Sequence, residues 1–244
     1  MARIEEHVEL DVESPVLVEG LPGIGLVGKI ATDHLVKTFE MDHAASCYCE
    51  GLPRVAVYEE ANRDIRPPVR IYVDEQRDLL ALQSDVPISP ETAPGFAGCV
   101  NGWFEEYDVT PLCLSGLPVE KDGLPKMYGV GTGDGDELLD EHDIPRPTEN
   151  GMVSGPTGAL LAEAAQSKLD AIGLVVQANP QFPDPEAARI LLVKGIEPLA
   201  GISVDTEKLV DQAEEIAKAR EKLAKRMQQA NEESSQAQPL GMYQ

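Results

Sequence analysis

A chain of 244 residues in which 43 acidic side chains oppose 20 basic ones, for a formal charge of −23, lacks the basic face that bare nucleic acid or an anionic membrane demands. Its 42% hydrophobic content is enough to build a core without staples, and no apolar run approaches the roughly 20 residues of a membrane helix. Acid spread along the whole chain resembles the solvated surface of proteins from salt-loving cells and predicts stability that rises with salt.

Residues 1–14 alternate in polarity, and Ile4, Val8, Leu10 and Val12 predict a short edge strand. No secretory signal precedes residue 15, so the expected compartment is cytoplasmic. Next come a buried strand at "PVLVEG", a turn at "LPGIG", and a helix at "LVGKIATDHLVKTF" with Leu26, Ile30, Leu35 and Val36 on its apolar side. A second strand is expected at "AASCYC". Extended segments follow at "RVAVYEE", "VRIYVDE" and "DLLALQSDVPI", punctuated by Pro and charge as antiparallel pairs are.

A helix over 90–106 leads to a strand at "TPLCLSGLPV", another at "KMYGVGTG", a short helix at "DELLDEHDI", a helix at "GPTGALLAEAAQSK" and a buried strand at "AIGLVVQA". The alternation predicts an α/β fold over residues 1–204, with a mostly parallel central sheet flanked by helices and an antiparallel extension. A long helix is expected over 205–231, where Leu209, Ile216 and Leu223 recur every seven residues and form a seam that packs back on the domain or zips against a second copy. The polar remainder, 232–244, reads as a flexible tail.

Four cysteines, Cys47, Cys49, Cys99 and Cys113, lie in apolar contexts and are expected to be buried and reduced, since zinc needs more convergent ligands. Gly23, Gly25 and Gly28 satisfy G-x-G-x-x-G between a predicted strand and helix, with Glu50 about twenty residues on, as in a dinucleotide fingerprint. On that reading the helix N-terminus holds a pyrophosphate and Glu50 a ribose hydroxyl. The alternative is structural: glycines permit a tight turn and close helix–sheet packing. Lys29 lacks the P-loop context. No partner nucleophile is visible for His7, His34, His43 or His142, and "DGDELLDEHD" lacks the glycine and terminal glutamate of a calcium loop. No catalytic residue, cofactor or metal is expected.

The segments "VEGLPGIGLVGKIATDHLV", "LPRVAVYEE", "SGLPV", "YGVGTG", "GMVSGPTGALL" and "NPQFPDPEAARILL" occur in an order that resembles the archaeal branch of the proteasome assembly chaperone family, across roughly 10–205. In "FPDPEAA", Asp184 is the expected N-cap, Pro185 the first helical residue and Glu186 an acid suited to the helix dipole. Some members of that family carry an ATP-grasp label, but no magnesium-and-ATP constellation is visible here.

The resemblance implies a non-enzymatic binding protein, homo-oligomeric with or without a sister chaperone. It gives meaning to Met242, Tyr243 and Gln244, which match the hydrophobic-Tyr-any C-terminal motif that docks between α-subunits of the 20S proteasome. In that mode the Gln244 carboxylate meets a pocket lysine, Tyr243 anchors its ring and Met242 fills an apolar niche. A 13-residue tether has an r.m.s. reach of about 20 Å. The competing function is a nucleotide-binding enzyme, dinucleotide-dependent or ATP-grasp-like, built on Gly23, Gly25 and Gly28.

Overall fold

The computed structural model describes residues 3–58, 63–119 and 123–211. Eight strands, β1 (Ile4–Glu6), β2 (Val16–Gly20), β3 (Asp42–Cys47), β4 (Val69–Asp74), β5 (Leu79–Ser84), β6 (Thr110–Pro118), β7 (Met127–Thr132) and β8 (Ala171–Ala178), form one sheet. Their order is β1-β3-β4-β5-β2-β6-β8-β7. The helices are α1 (Val27–Thr38), α2 (Ala93–Glu106), α3 (Gly135–Glu141), α4 (Gly155–Ser167), α5 (Pro185–Leu191) and the single turn α6 (Glu197–Ala200).

Period-two alternation divides each central strand between two cores. Val18, Ala81, Leu112 and Leu174 pack with Val27 and Leu35 of α1 and Leu191 of α5 on one face. Leu17, Leu80 and Leu82 pack with Phe96 and Phe104 of α2 and Leu160 of α4 on the other. Both faces of β5 are covered, and all six of its residues are buried, which is why its sequence reads as a nearly continuous apolar run.

The sheet is mixed, and this corrects the mostly parallel expectation. The pairs β2–β5, β2–β6 and β6–β8 are parallel. The other four, β1–β3, β3–β4, β4–β5 and β7–β8, are antiparallel. Each parallel pair is joined through at least one intervening helix, whereas the four residues 75–78 between β4 and β5 allow only antiparallel return. Among the described residues, the expected strand at "RVAVYEE" reduces to a single bridge between Val57 and Arg66. Pro53, Pro67 and Pro68 flank it and cannot donate to a ladder.

The cysteines also depart from expectation. Cys49 and Cys99 form a disulfide, with Cα atoms 6.2 Å apart, that ties the turn after β3 to α2. Cys47 and Cys113 are free and buried. Cys47 ends β3 while Cys49 lies beyond it, so the strand expected at "AASCYC" stops before the second cysteine.

Asp184 caps α5 as expected, its carboxylate accepting from the Ala187 N–H, and Glu186 pairs with Arg189 at 2.8 Å. Helical backbone resumes over 207–211, where Leu209 is buried in the α1–α5 core. Ile216, Leu223 and the 232–244 tail lie outside the described residues.

Candidate functional site

The C-terminal ends of β2, β6 and β8 converge where an open α/β sheet presents its ligand crevice. β2 ends at Gly20, and the chain then turns through one 3₁₀ turn, Ile24–Leu26, into α1. Gly25 has φ +64° and Leu26 φ +51°, and the Leu26 N–H closes on the Gly23 carbonyl at 3.0 Å. A Cβ at Gly25 would stand 3.0 Å from Ala178 Cβ and 3.3 Å from Asp184 Cβ, whereas one at Gly23 would meet open space. Gly28 faces the Glu19 carbonyl and Leu114. Gly25 is thus required by backbone sign and close approach, and Gly28 by packing.

Asp184 sits against this turn. Its backbone N–H donates to the Gly25 carbonyl at 2.8 Å, and its carboxylate accepts from the Asn179 and Ala187 N–H groups. The α5 cap and the glycine turn are therefore one hydrogen-bonded unit. Glu50, the fourth residue of the dinucleotide reading, is not brought to it, because β3 lies beyond β4 and β5 from β2.

Beneath the turn is Glu19, fully buried in an otherwise apolar strand. Its carboxylate accepts from the Leu21 N–H at 2.9 Å, the Leu114 N–H at 2.9 Å and the Thr157 hydroxyl at 3.2 Å. One side chain thereby holds the glycine turn, β6 and the first turn of α4. Burial pushes its pKa up to about 7, against the three hydrogen bonds, which favour the charged form. Burial raises the neighbouring Cys113 thiol well above its usual value, and the Glu19 charge adds to this. A lone glutamate inside "PVLVEG" was the visible sequence signal for this buried polar centre.

Where α1 faces the end of β5, the Lys29 ammonium donates to both Asp33 oxygens at 2.7 and 2.8 Å and lies 3.5 Å from Asp85. Arg70 meets Asp85 at 2.7 Å, and Gln83 links to both Arg70 and Asp33. Lys29 is thus engaged in a charge-balanced network.

Two histidines do meet a serine: Ser46 Oγ lies 2.7 Å from His7 Nε2 and 3.2 Å from His43 Nε2. Burial, reinforced by His7, Arg66 and Arg70, pushes the His43 pKa down to about 4, so its ring is neutral near pH 7. Ser46 is almost wholly buried, so the trio acts as a polar clasp between β1 and β3. Among the described residues no group of three or more His, Cys, Asp or Glu could hold a metal ion, and no helix is long and apolar enough to cross a membrane.

The sequence pattern of the PAC2 family matches residues 17–224. The chain belongs to the PAC2 family. An uncharacterised protein of Methanocaldococcus jannaschii is 27% identical over 237 residues, covering 96% of each chain. The PAC2 fold seen here is similar to that of Pyrococcus furiosus PbaA, described as an archaeal homolog of proteasome-assembly chaperone, with TM-score 0.77 and 24% identity over 95% of this chain and 96% of that one. It is equally similar to Pyrococcus furiosus PbaB, described as an archaeal proteasome activator, with TM-score 0.77 and 23% identity over 91% and 98%. The matched PAC2 span contains Glu19, the glycine turn, Thr157 and Asp184. Met242, Tyr243 and Gln244 fall beyond it and outside the described residues.

Proposed function

We propose that the protein is a non-catalytic, cytoplasmic binding factor of the 20S proteasome, acting in its assembly or on the assembled particle, and that its C-terminal residues dock between α-subunits. The observation that carries this reading is the match of fold along nearly the whole chain to PbaA and PbaB, both described by a proteasome role. The site geometry agrees with it. The crevice that would receive a nucleotide is occupied by the chain's own Asp184 cap, and the nearby carboxylates of Glu19 and Asp184 would repel a pyrophosphate if charged.

In the docked state the Gln244 carboxylate pairs with a lysine of the α-subunit pocket, Tyr243 sets its ring on the apolar wall and Met242 fills the adjoining niche. Self-association supplies several tails, which raises avidity without new contacts. The test is a pull-down of purified 20S particles in molar KCl with the whole chain and with a form ending at Asn231. Retention by the whole chain alone supports tail docking. Retention by both moves the contact to the folded body, and retention by neither overturns the reading.

A further inference from the structure

Four large apolar side chains are exposed together in one arm of this acidic protein. Between β3 and β4, Tyr48 is 42% exposed, Val55 46%, Tyr58 82% and Ile65 74%. Tyr48, Val55 and Ile65 line a groove of about 730 Å³, together with Leu52, Pro67 and Pro68. Single exposed apolar residues are unremarkable, but aromatic and aliphatic groups gathered with arginine around a concavity have the composition of a protein interface.

The charge in the groove runs opposite to that of the molecule. Among the described residues Arg54 and Arg66 line it and Glu50 is the one lining acid, on a chain of net charge −23. Arg54 is exposed and makes no side-chain bond among the described residues. The walls are also pinned. The Cys49–Cys99 disulfide anchors one end, the Thr92 hydroxyl donates to the Gly51 carbonyl at 3.2 Å, and two backbone bonds of 2.9 Å join Val57 to Arg66. Arg70 holds the Pro67 carbonyl at 2.7 Å on the far wall. A groove fixed in this way loses little entropy when it is filled.

We propose that this groove is a docking site for an extended acidic segment of a partner protein, carrying at least one aliphatic or aromatic anchor. Arg54 takes the partner's carboxylate, and Val55 and Ile65 flank the anchor. A polypeptide fits better than a small anion because Tyr48, Val55 and Ile65 must be covered along with the cation. The site lies on the folded body and stands whether or not the C-terminal tail docks.

The experiment pans a random dodecapeptide library displayed on phage against the whole immobilised chain, then titrates a synthetic copy of an enriched peptide. Enriched sequences should combine Asp or Glu with a large apolar residue. Affinity should fall about tenfold or more in Arg54→Glu and again in Ile65→Asp. Both positions are exposed, and circular dichroism confirms that the variants fold. No enrichment, enrichment of basic peptides, or binding unchanged by both variants overturns the proposal. Sedimentation supplies the remaining outcome: a wild-type oligomer that dissociates in both variants makes the groove a contact between copies, and the partner proposal falls.

Discussion

Glu19 on β2 and Thr157 in the first turn of α4 stand 138 positions apart and are joined by a buried hydrogen bond of 3.2 Å. The same carboxylate takes the Leu21 and Leu114 N–H groups, so a single side chain fastens the glycine turn, the neighbouring strand and the helix on the opposite face.

This contact predicts a pH dependence. The folded pKa of Glu19, about 7, lies above the ordinary 4.5, so the folded state holds the proton more tightly than the unfolded chain does. Its contribution is fully present below about pH 4.5, declines as pH rises, and is lost above about 7, a change of about 3 kcal/mol. Urea unfolding at constant KCl should show this decline in the wild type, and Glu19→Gln should remove it. Parallel pH profiles for the two proteins would refute the assignment to Glu19.

The glycine turn predicts unequal costs along one motif. Gly25→Val should destabilise by about 1–3 kcal/mol, because φ +64° and the contacts with Ala178 and Asp184 both oppose a side chain. Gly23→Ala, with open space around it, should cost less than about 1 kcal/mol. Calorimetry with NAD, NADP, ATP and ADP should show nothing tighter than millimolar binding. Micromolar binding by the wild type would restore the nucleotide reading.

Cysteine labelling checks the disulfide. Native protein should resist alkylation, since Cys47 and Cys113 are buried and burial pushes Cys47 up to about 12. Unfolded protein should label at two cysteines without reductant and at four with it. Cys99→Ser opens a loop with a sequence separation of 50 and should lower stability by about 2–4 kcal/mol. Four labelled thiols in unreduced, unfolded protein would contradict the pairing.

The C-terminal reading predicts that one side chain governs proteasome binding. Tyr243→Ala should remove an aromatic anchor worth about 2 kcal/mol, or roughly thirtyfold per tail, and residues appended after Gln244 should have a like effect by displacing the carboxylate. An N-terminal tag should be harmless. Surface binding to immobilised 20S particles in molar KCl distinguishes these forms, and equal binding by all of them would leave "GMYQ" without a role.

Local chemistry made much of the molecule legible in the sequence. Asp184 followed by Pro185 announces a helix start because cap and fixed φ act within a few residues, and the apolar runs of β5 and β8 announce burial on both faces. The order of motifs also pointed to the family without any contact being known. Tertiary structure decided the rest. The antiparallel pairing of β7 with β8, the Cys49–Cys99 pairing, the meeting of Ser46 with His7 and His43, and the closure of Glu19 on Thr157 join residues up to 138 positions apart. Propensity and periodicity act over a turn or a strand, so they cannot choose among such partners. That choice came from packing two apolar faces against one sheet, which carried the buried polar groups to the places where they could be satisfied.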